Sequence, residues 1–222
     1  MRERELAAQP SESLDHHRPC TVGLTGGLAT GKSAVGRILE ARGIPVFDAD
    51  AAVHELYEPG GPGSAAVVEL FGPAVLDDEG GVVRARLSEM VLGNAAARLR
   101  LEKAVHPLVR RAVQEWLGAV DRPIAVVEAA LLAETGYSTE YDVLMVVWCE
   151  QHQQLQRALN RGIPAERARG LINAQLPMAQ KKELADVLVD NRGDLEDLAH
   201  EVDRAWSVVL RLCTNRSDRE SL

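Results

Sequence analysis

The sequence predicts an α/β fold, a parallel sheet with helices packed on its faces. Three observations carry that prediction. The run Gly26-Gly27-Leu28-Ala29-Thr30-Gly31-Lys32-Ser33 satisfies G-x-x-x-x-G-K-[ST] and stands between an apolar strand and a helix-periodic segment. Ile124-Ala125-Val126-Val127 and Val143-Leu144-Met145-Val146-Val147-Trp148 read as buried strands of parallel type. The text between these runs is helical, and strands alternating with helices build a parallel sheet covered by helices.

Met1 to about Pro19 is polar, with Pro10, Ser11, Ser13 and the pair His16-His17, and predicts a disordered extension. A metal site needs several ligands, and none stands near the two histidines, so they read as solvated. Thr21-Val22-Gly23-Leu24 is the first strand and runs straight into the glycine-rich loop. Successive backbone N–H groups of such a loop, the P-loop, cradle phosphate oxygens, and the positive end of the next helix adds to the attraction. Gly26, Gly27 and Gly31 permit the backbone shapes and close approach that a side chain would block. Lys32 is placed for the β/γ-phosphates and the Ser33 hydroxyl for Mg²⁺. The motif in this context predicts a nucleoside triphosphate held by Gly27, Leu28, Ala29, Thr30, Gly31, Lys32, Ser33 and Ala34. Ala34, Val35, Ile38 and Leu39 then recur at helical spacing, with Gly43 placed as a C-cap.

Ile44-Pro45-Val46-Phe47 is a second short strand that ends in Asp48-Ala49-Asp50. Ligands of open α/β sheets bind at such strand ends. One aspartate there can orient a substrate hydroxyl while the other faces the metal; alternatively, both only cap the helix from Ala51 to Tyr57. Pro59-Gly60-Gly61-Pro62-Gly63 breaks the chain, and Asp77-Asp78-Glu79-Gly80-Gly81 marks a further loop. Arg84 to Gly118 is strongly helical, with His106-Pro107 predicting a break or kink. His106 fits a substrate contact and equally a buried or capping histidine.

After the strands at Ile124 and Val143, the segment from Glu150 to Asp186 is polar, helical and locally basic. Arg157 and Arg161 lie four apart on one helix face. They suit a lid that closes over a triphosphate, or else a solvated charged helix. Lys181-Lys182 is ambiguous and compatible with solvation. Val187-Leu188-Val189 is the last strand, followed by Asp190-Asn191-Arg192-Gly193 and a helix from about Leu195 to Leu212. The remaining polar residues read as frayed.

At 222 residues, 46% hydrophobic and 26% charged, the composition is that of a globular protein able to bury a core. A net charge of −8 and 4% aromatic residues argue against a nucleic-acid surface, which needs clustered cations and stacking platforms. No stretch approaches the length of a membrane span and residues 1–19 lack the apolar core of a secretory signal, which points to the cytoplasm. Cys20, Cys149 and Cys213 are widely spaced and odd in number, predicting reduced bystander thiols rather than zinc or a disulfide framework.

The ordered set of motifs resembles dephospho-CoA kinase. It comprises Leu24-Thr25-Gly26-Gly27 into Gly31-Lys32-Ser33, Asp48-Ala49-Asp50, Glu58-Pro59-Gly60 and Gly80 through Arg84 to Leu87. His106-Pro107, Leu131-Leu132 followed by Glu134, and Asp186 with Asp190-Asn191 and Gly193 complete it, from about residue 21 to 209. The resemblance implies a three-layer P-loop kinase fold with five parallel strands, in a domain at 20–212. A helical substrate region at about 58–118 and a lid at about 150–186 belong to it, with a tail at 213–222. It implies transfer of the ATP γ-phosphate to the ribose 3′-hydroxyl of dephospho-CoA with Mg²⁺. Apart from the resemblance, the chain is expected to act as a monomer or weak oligomer, without nucleic acid or membrane partners.

Residue by residue, the resemblance puts Asp50 at the attacking hydroxyl and Asp48 with Ser33 at the metal and its water shell. Lys32 and Arg157 or Arg161 hold the transferring phosphoryl group, Asn191 approaches the adenine, and Arg84, His106 and Leu131 meet the substrate. Three positions depart from the family pattern: Ala29 and Gly162 replace a usual glycine and a frequent acid, and Ala130 replaces a proline. The rival enzyme is another small-molecule P-loop kinase, for a nucleoside monophosphate or a metabolite hydroxyl. A GTPase switch would show an [NT]-K-x-D base reader, which the sequence lacks. A binding module descended from a kinase sits poorly with intact Lys32, Ser33 and Asp50.

Overall fold

Apolar runs bury both faces of the central strands β1, β3 and β4, and five strands assemble into one sheet. The structure is a computed structural model that describes residues 18–91, 93–130, 132–133 and 136–220. The strands are β1 (Cys20–Gly26), β2 (Val46–Asp48), β3 (Ile124–Glu128), β4 (Val143–Trp148) and β5 (Val187–Asp190). Their order is β2-β3-β1-β4-β5, and every neighbouring pair is parallel. The helices are α1 (Lys32–Ala41), α2 (Ala49–Leu56), α3 (Pro62–Phe71), α4 (Arg84–Val91), α5 (Ala95–Ala119), α6 (Gln151–Asn160), α7 (Ala165–Ala174), α8 (Met178–Leu184) and α9 (Leu195–Glu220).

Strand side chains alternate between faces, and helices cover each face. On one side Val22, Leu24, Met145, Val147 and Val189 pack against Val35 and Leu39 of α1 and against Leu198, Val202 and Val209 of α9. On the other, Val113 and Trp116 of α5 meet Val127 and Phe47, with the Phe47 and Trp116 rings 5.3 Å apart. The three layers expected of an α/β fold are therefore present. Helices α2 to α5 share a satellite core of Tyr57, Val67, Val75, Leu87 and Val105. Helices α6 and α7 bury Ala158 and Ala168 together with Ala29 of the glycine-rich loop.

Local chemistry sets the helix ends. Gly43, at φ 76°, follows the last turn of α1 in the left-handed conformation that glycine adopts without strain. Asn94 caps α5 by accepting from the Ala97 N–H. Glu150 and Gln153 form a reciprocal capping box at the start of α6.

The structure departs from the sequence expectation at several points. Pro107 interrupts nothing: it lies inside α5, an unbroken 25-residue helix packed on both the sheet and the satellite core. Helix α9 continues to Glu220, beyond Leu212, because Cys213 and Arg216 are tied to the sheet. Asp142, at the entry to β4, accepts from the Thr21 N–H and hydroxyl and pairs with Arg18 and Arg216. Lys181 is fully buried, and Lys182 lies over the Trp148 ring at 2.9 Å from its centroid, so neither is a solvated lysine. The extension over residues 1–17, with His16 and His17, lies outside the described residues. Among those described, no helix is long and apolar enough to cross a membrane.

The reduced thiols expected at Cys20 and Cys213 are instead joined by a disulfide, while Cys149 is free and buried. Sequence spacing conceals this pair. They are 193 residues apart, yet α9 runs back along the sheet and brings the two Cα atoms to 5.8 Å, within bonding range. A bridge closing so long a loop stabilises by about 5 kcal/mol in the chain-entropy model, and measured values often fall short of it. Cys213→Ser, or reduction, is expected to lower the unfolding free energy by about 3–5 kcal/mol. Denaturant unfolding with and without reductant checks this, and coincident curves would show that the bridge adds nothing.

Candidate active site

The chain leaves the central strand β1 at Gly26 and turns at once into α1. The Thr30 N–H and hydroxyl both return to the Gly27 carbonyl, at 3.2 and 3.0 Å, and close the loop. Gly31 opens α1 at φ 102°, where a Cβ would also overlap the Asn191 amide. No other residue fits that position. Ala29, the one described non-glycine residue with positive φ, sits at 56° in a conformation that costs an alanine about 1–2 kcal/mol.

Lys32, in the first turn of α1, points its Nζ between two carboxylates, 2.8 Å from Glu128 Oε1 and 3.1 Å from Asp50 Oδ2. The Ser33 hydroxyl donates to the same Glu128 oxygen at 2.7 Å. Glu128 closes β3, where the sheet register sets it opposite Leu24 just before the loop. Its side chain is 4% exposed, whereas that of Asp50 is 56% exposed. One acid is therefore an internal anchor and the other is open to an incoming group. Burial works to lower the Lys32 pKa, but Asp50 and then Glu128 outweigh it and hold the ammonium above its ordinary value.

Sequence reasoning passes over Glu128. The only signal is an acid ending an apolar strand, and its meaning appears when β3 pairs with β1. The same is true of Gly36, one turn into α1, where a Cβ would overlap Glu128 Oε2. Helix propensity alone favours alanine there by about 1 kcal/mol. Gly36→Ala is nonetheless expected to destabilise by about 1–3 kcal/mol and to weaken ATP binding about tenfold, because the carboxylate must move off Lys32 and Ser33. Thermal unfolding and nucleotide titration read both effects, and a more stable protein with unchanged affinity would contradict them.

The other expected site residues divide. Asp48 caps α2, accepting from the Ala51 N–H at 3.0 Å, which is the capping role the sequence leaves open for it. Arg157 on α6 reaches the underside of the loop, donating to the Asn191 and Thr30 carbonyls at 2.9 and 3.5 Å. Asn191 is buried, and its amide donates to the Thr30 carbonyl at 2.6 Å. Its side chain thus braces the loop, a direction different from the adenine contact expected of it. Arg161 is the exposed C-cap of α6, one position beyond the last helical residue. Gln175, which the sequence does not single out, accepts from the Leu28 N–H at 2.8 Å and links the turn after α7 to the loop. Cys149 lies close by, and burial pushes its thiol pKa up against the opposing pull of Arg157.

Beside Asp50 a cavity of about 1110 Å³ opens between α5 and the sheet, and His106 lines the same space. Burial pushes the Tyr141 phenol in its wall up to about 12, with Arg110 opposing. Arg84 lies elsewhere, in contact with His54 at a smaller hollow of about 250 Å³. His54 stands one turn beyond Asp50 on α2, so Arg84 reaches the Asp50 helix but not the main cavity. Leu131 lies outside the described residues.

Ser33 and Glu128 together offer hard oxygen donors beside the loop, a set that suits Mg²⁺ shared with phosphate oxygens and water. Among the described residues no group of three or more His, Cys, Asp or Glu forms an all-protein metal cage. The arrangement can neutralise phosphate charge from below and offer an open carboxylate to a hydroxyl from above.

Known proteins resemble this chain over most of its length. A sequence model described as dephospho-CoA kinase matches residues 20–197. A dephospho-CoA kinase of Thermobifida fusca is 42% identical over 197 residues, covering 88% of this chain and 98% of that protein. One of Frankia casuarinae is 40% identical over 191 residues, covering 86% of this chain and 83% of that protein. The crystal structure of TT1252 from Thermus thermophilus superposes with a TM-score of 0.73 at 29% identity, covering 87% of this chain and 97% of that one. The family match takes in the glycine-rich loop, both strand-end acids and the arginine-bearing helices, and on that breadth this chain belongs to the dephospho-CoA kinase family.

Proposed function

We propose that the chain transfers the γ-phosphoryl group of ATP to the ribose 3′-hydroxyl of dephospho-CoA, giving coenzyme A and ADP. The observation that carries this reading is the Lys32–Asp50 pair, 3.1 Å apart, where the nucleotide loop meets the large cavity. A phosphoryl group at Lys32 and a hydroxyl at Asp50 are then neighbours, as in-line transfer requires.

The loop N–H groups and Lys32 hold the β- and γ-phosphates, and Arg157 moves from the loop carbonyls onto the transferring group. Arg161 and Asn191 keep the supporting roles at the lid and the nucleotide that family membership suggests. Ser33, with Glu128 beside it and Asp48 through water, would hold Mg²⁺, which would supply charge neutralisation at the phosphates. Asp50 orients the acceptor hydroxyl. As the oxygen–phosphorus bond forms and the β–γ bridging bond breaks, Asp50 takes the hydroxyl proton late, because a loose transition state asks little of the nucleophile. His106, and Arg84 through His54, steady the acceptor beside Asp50, with Leu131 as a further contact. Helices α6 to α8 serve as the lid. The enzyme works as a cytoplasmic monomer on small molecules only.

The test is Mg²⁺-dependent ADP release from ATP with dephospho-CoA, and in parallel with AMP, CMP, pantetheine phosphate and no acceptor. Turnover with dephospho-CoA alone, with coenzyme A formed in equal amount, supports the reading. Turnover confined to another acceptor overturns the substrate and keeps the kinase; ATP binding without turnover on any acceptor overturns both.

A further inference from the structure

The glycine-rich loop is divided between two parts of the fold. Its second half belongs to the sheet, since Lys32 and Ser33 both converge on Glu128 of β3. Its first half belongs to helices α6 to α8. A Cβ on Gly27 would come within 3.0 Å of Gln154 Nε2 on α6 and 3.3 Å of Met178 Cε on α8, so both helices stand against the backbone there. Leu28 and Ala29 pack with Leu155, Ala158, Ile163 and Ala168 of α6, α7 and the link between them. The seam falls at Thr30, whose carbonyl accepts from Arg157 of α6 and from Asn191, the residue after β5.

Apolar packing holds the first half close to the helices but is non-directional; a hydrogen bond fixes the orientation of a peptide. Gln175 supplies that bond. Its side-chain oxygen accepts the Leu28 N–H at 2.8 Å, across 147 residues of sequence. The glutamine is itself firmly placed. It is the C-cap of α7 in extended backbone, and Pro177, which precedes α8, restricts Leu176 between them. The Thr30 N–H returns to the Gly27 carbonyl, so both of these loop N–H groups serve protein acceptors. The first-turn N–H groups of α1, at Lys32 and Ser33, are the orphan donors that suit phosphate oxygens.

We propose that Gln175 is a positioning residue for phosphoryl transfer: through the Leu28 N–H it sets the register of the loop's first half against the terminal phosphate of ATP. Affinity for ATP rests on the second half, which Glu128 holds, so Gln175 governs alignment at the reacting phosphorus. The bond matters most when Arg157 leaves the Thr30 carbonyl for the transferring group. One polar contact between the loop and α6 is then given up, and the Leu28–Gln175 bond keeps the loop in place. A misplacement of about 1 Å in such an arrangement costs about 10²-fold in rate. The inference rests on the loop holding ATP as phosphoryl donor and is independent of which acceptor the enzyme uses.

The test compares the full wild-type chain with Gln175→Met and Gln175→Glu. Methionine keeps the length of glutamine but replaces the acceptor oxygen by a weakly accepting thioether, whereas glutamate keeps an acceptor oxygen at the same reach. Gln175→Met is expected to lower kcat, with ATP and dephospho-CoA both saturating, by about tenfold or more. Its Kd for ATP, read by direct titration, is expected to stay within about threefold of the wild type. Gln175→Glu is expected to return kcat to within about threefold of the wild type, with any effect of its charge falling on the KM for ATP. Thermal unfolding of each protein gives the folded fraction to which kcat is referred. Lower thermal midpoints with an unchanged kcat per folded molecule would make Gln175 a structural residue only and overturn the assignment. Equal deficits in kcat for the two variants, or a matching loss of ATP affinity in Gln175→Met, overturn it as well. A wild type that turns over no acceptor overturns the transfer reading, and this inference with it.

Discussion

Asp50→Asn is expected to lower kcat by about 10²–10⁴-fold while the KM for ATP stays within about twofold. The amide keeps the size of the carboxylate and half of its accepting capacity, but it cannot take the hydroxyl proton. ATP binding survives because Lys32 keeps its second anchor, Glu128, at 2.8 Å. The side chain is 56% exposed, so the fold has little stake in it. Steady-state kinetics over pH adds a second readout. Lys32 has a raised pKa in the folded protein, so its contribution is complete below the ordinary lysine value and fades as pH rises through the shifted one. The charge of Asp50 is the largest single influence raising it, so the variant loses ATP binding at a lower alkaline pH than the wild type. Equal losses of kcat and ATP affinity would remove Asp50 from the acceptor hydroxyl and make it only a partner of Lys32.

Glu128→Ala is expected to damage both fold and activity. The change strands the Lys32 ammonium and the Ser33 hydroxyl, each of which uses Glu128 Oε1. Breaking a buried ion pair from one side costs about 3–5 kcal/mol; here Asp50 remains for Lys32, which puts the expected loss near the lower figure. The kcat/KM for ATP is expected to fall about hundredfold or more, because Lys32 and Ser33 no longer converge on one point. Urea unfolding and nucleotide kinetics on the same preparation separate the two effects. A variant that unfolds like the wild type would show that the buried carboxylate is not the anchor.

Residues whose role is set by their near neighbours are legible in the chain, and those whose role is set by folding are not. Lys32 and Ser33 belong to the first group, since the loop, its glycines and the following helix are one continuous piece of sequence. The sheet is legible for a similar reason: each strand is a separate apolar run, and alternation with helices implies parallel pairing. Glu128 belongs to the second group, because an acid at a strand end acquires a lysine only when β3 lies beside β1. Asp48 and Asp50 are a mixed case. Their position at the end of β2 is evident, but which one caps α2 and which one reaches Lys32 depends on side-chain direction. Arg157 and Arg161 share a helix face by spacing, yet α6 stops at Asn160, and only Arg157 reaches the loop. The disulfide is the extreme case, since nothing local connects Cys20 with Cys213.

Ala29 bears on how this enzyme can drift under mutation. Its methyl strains the loop at φ 56° and at the same time completes the small core shared with Ala158 and Ala168. The strain is about 1–2 kcal/mol and the burial of a methyl returns about 0.8 kcal/mol. Exchange with glycine is therefore close to neutral for survival of the fold. It is not neutral for the contact between the loop and helices α6 and α7, to which that methyl contributes. Lineages can cross between the two residues without a stability barrier while retuning how firmly the phosphate-binding turn and the helices above it move as one body.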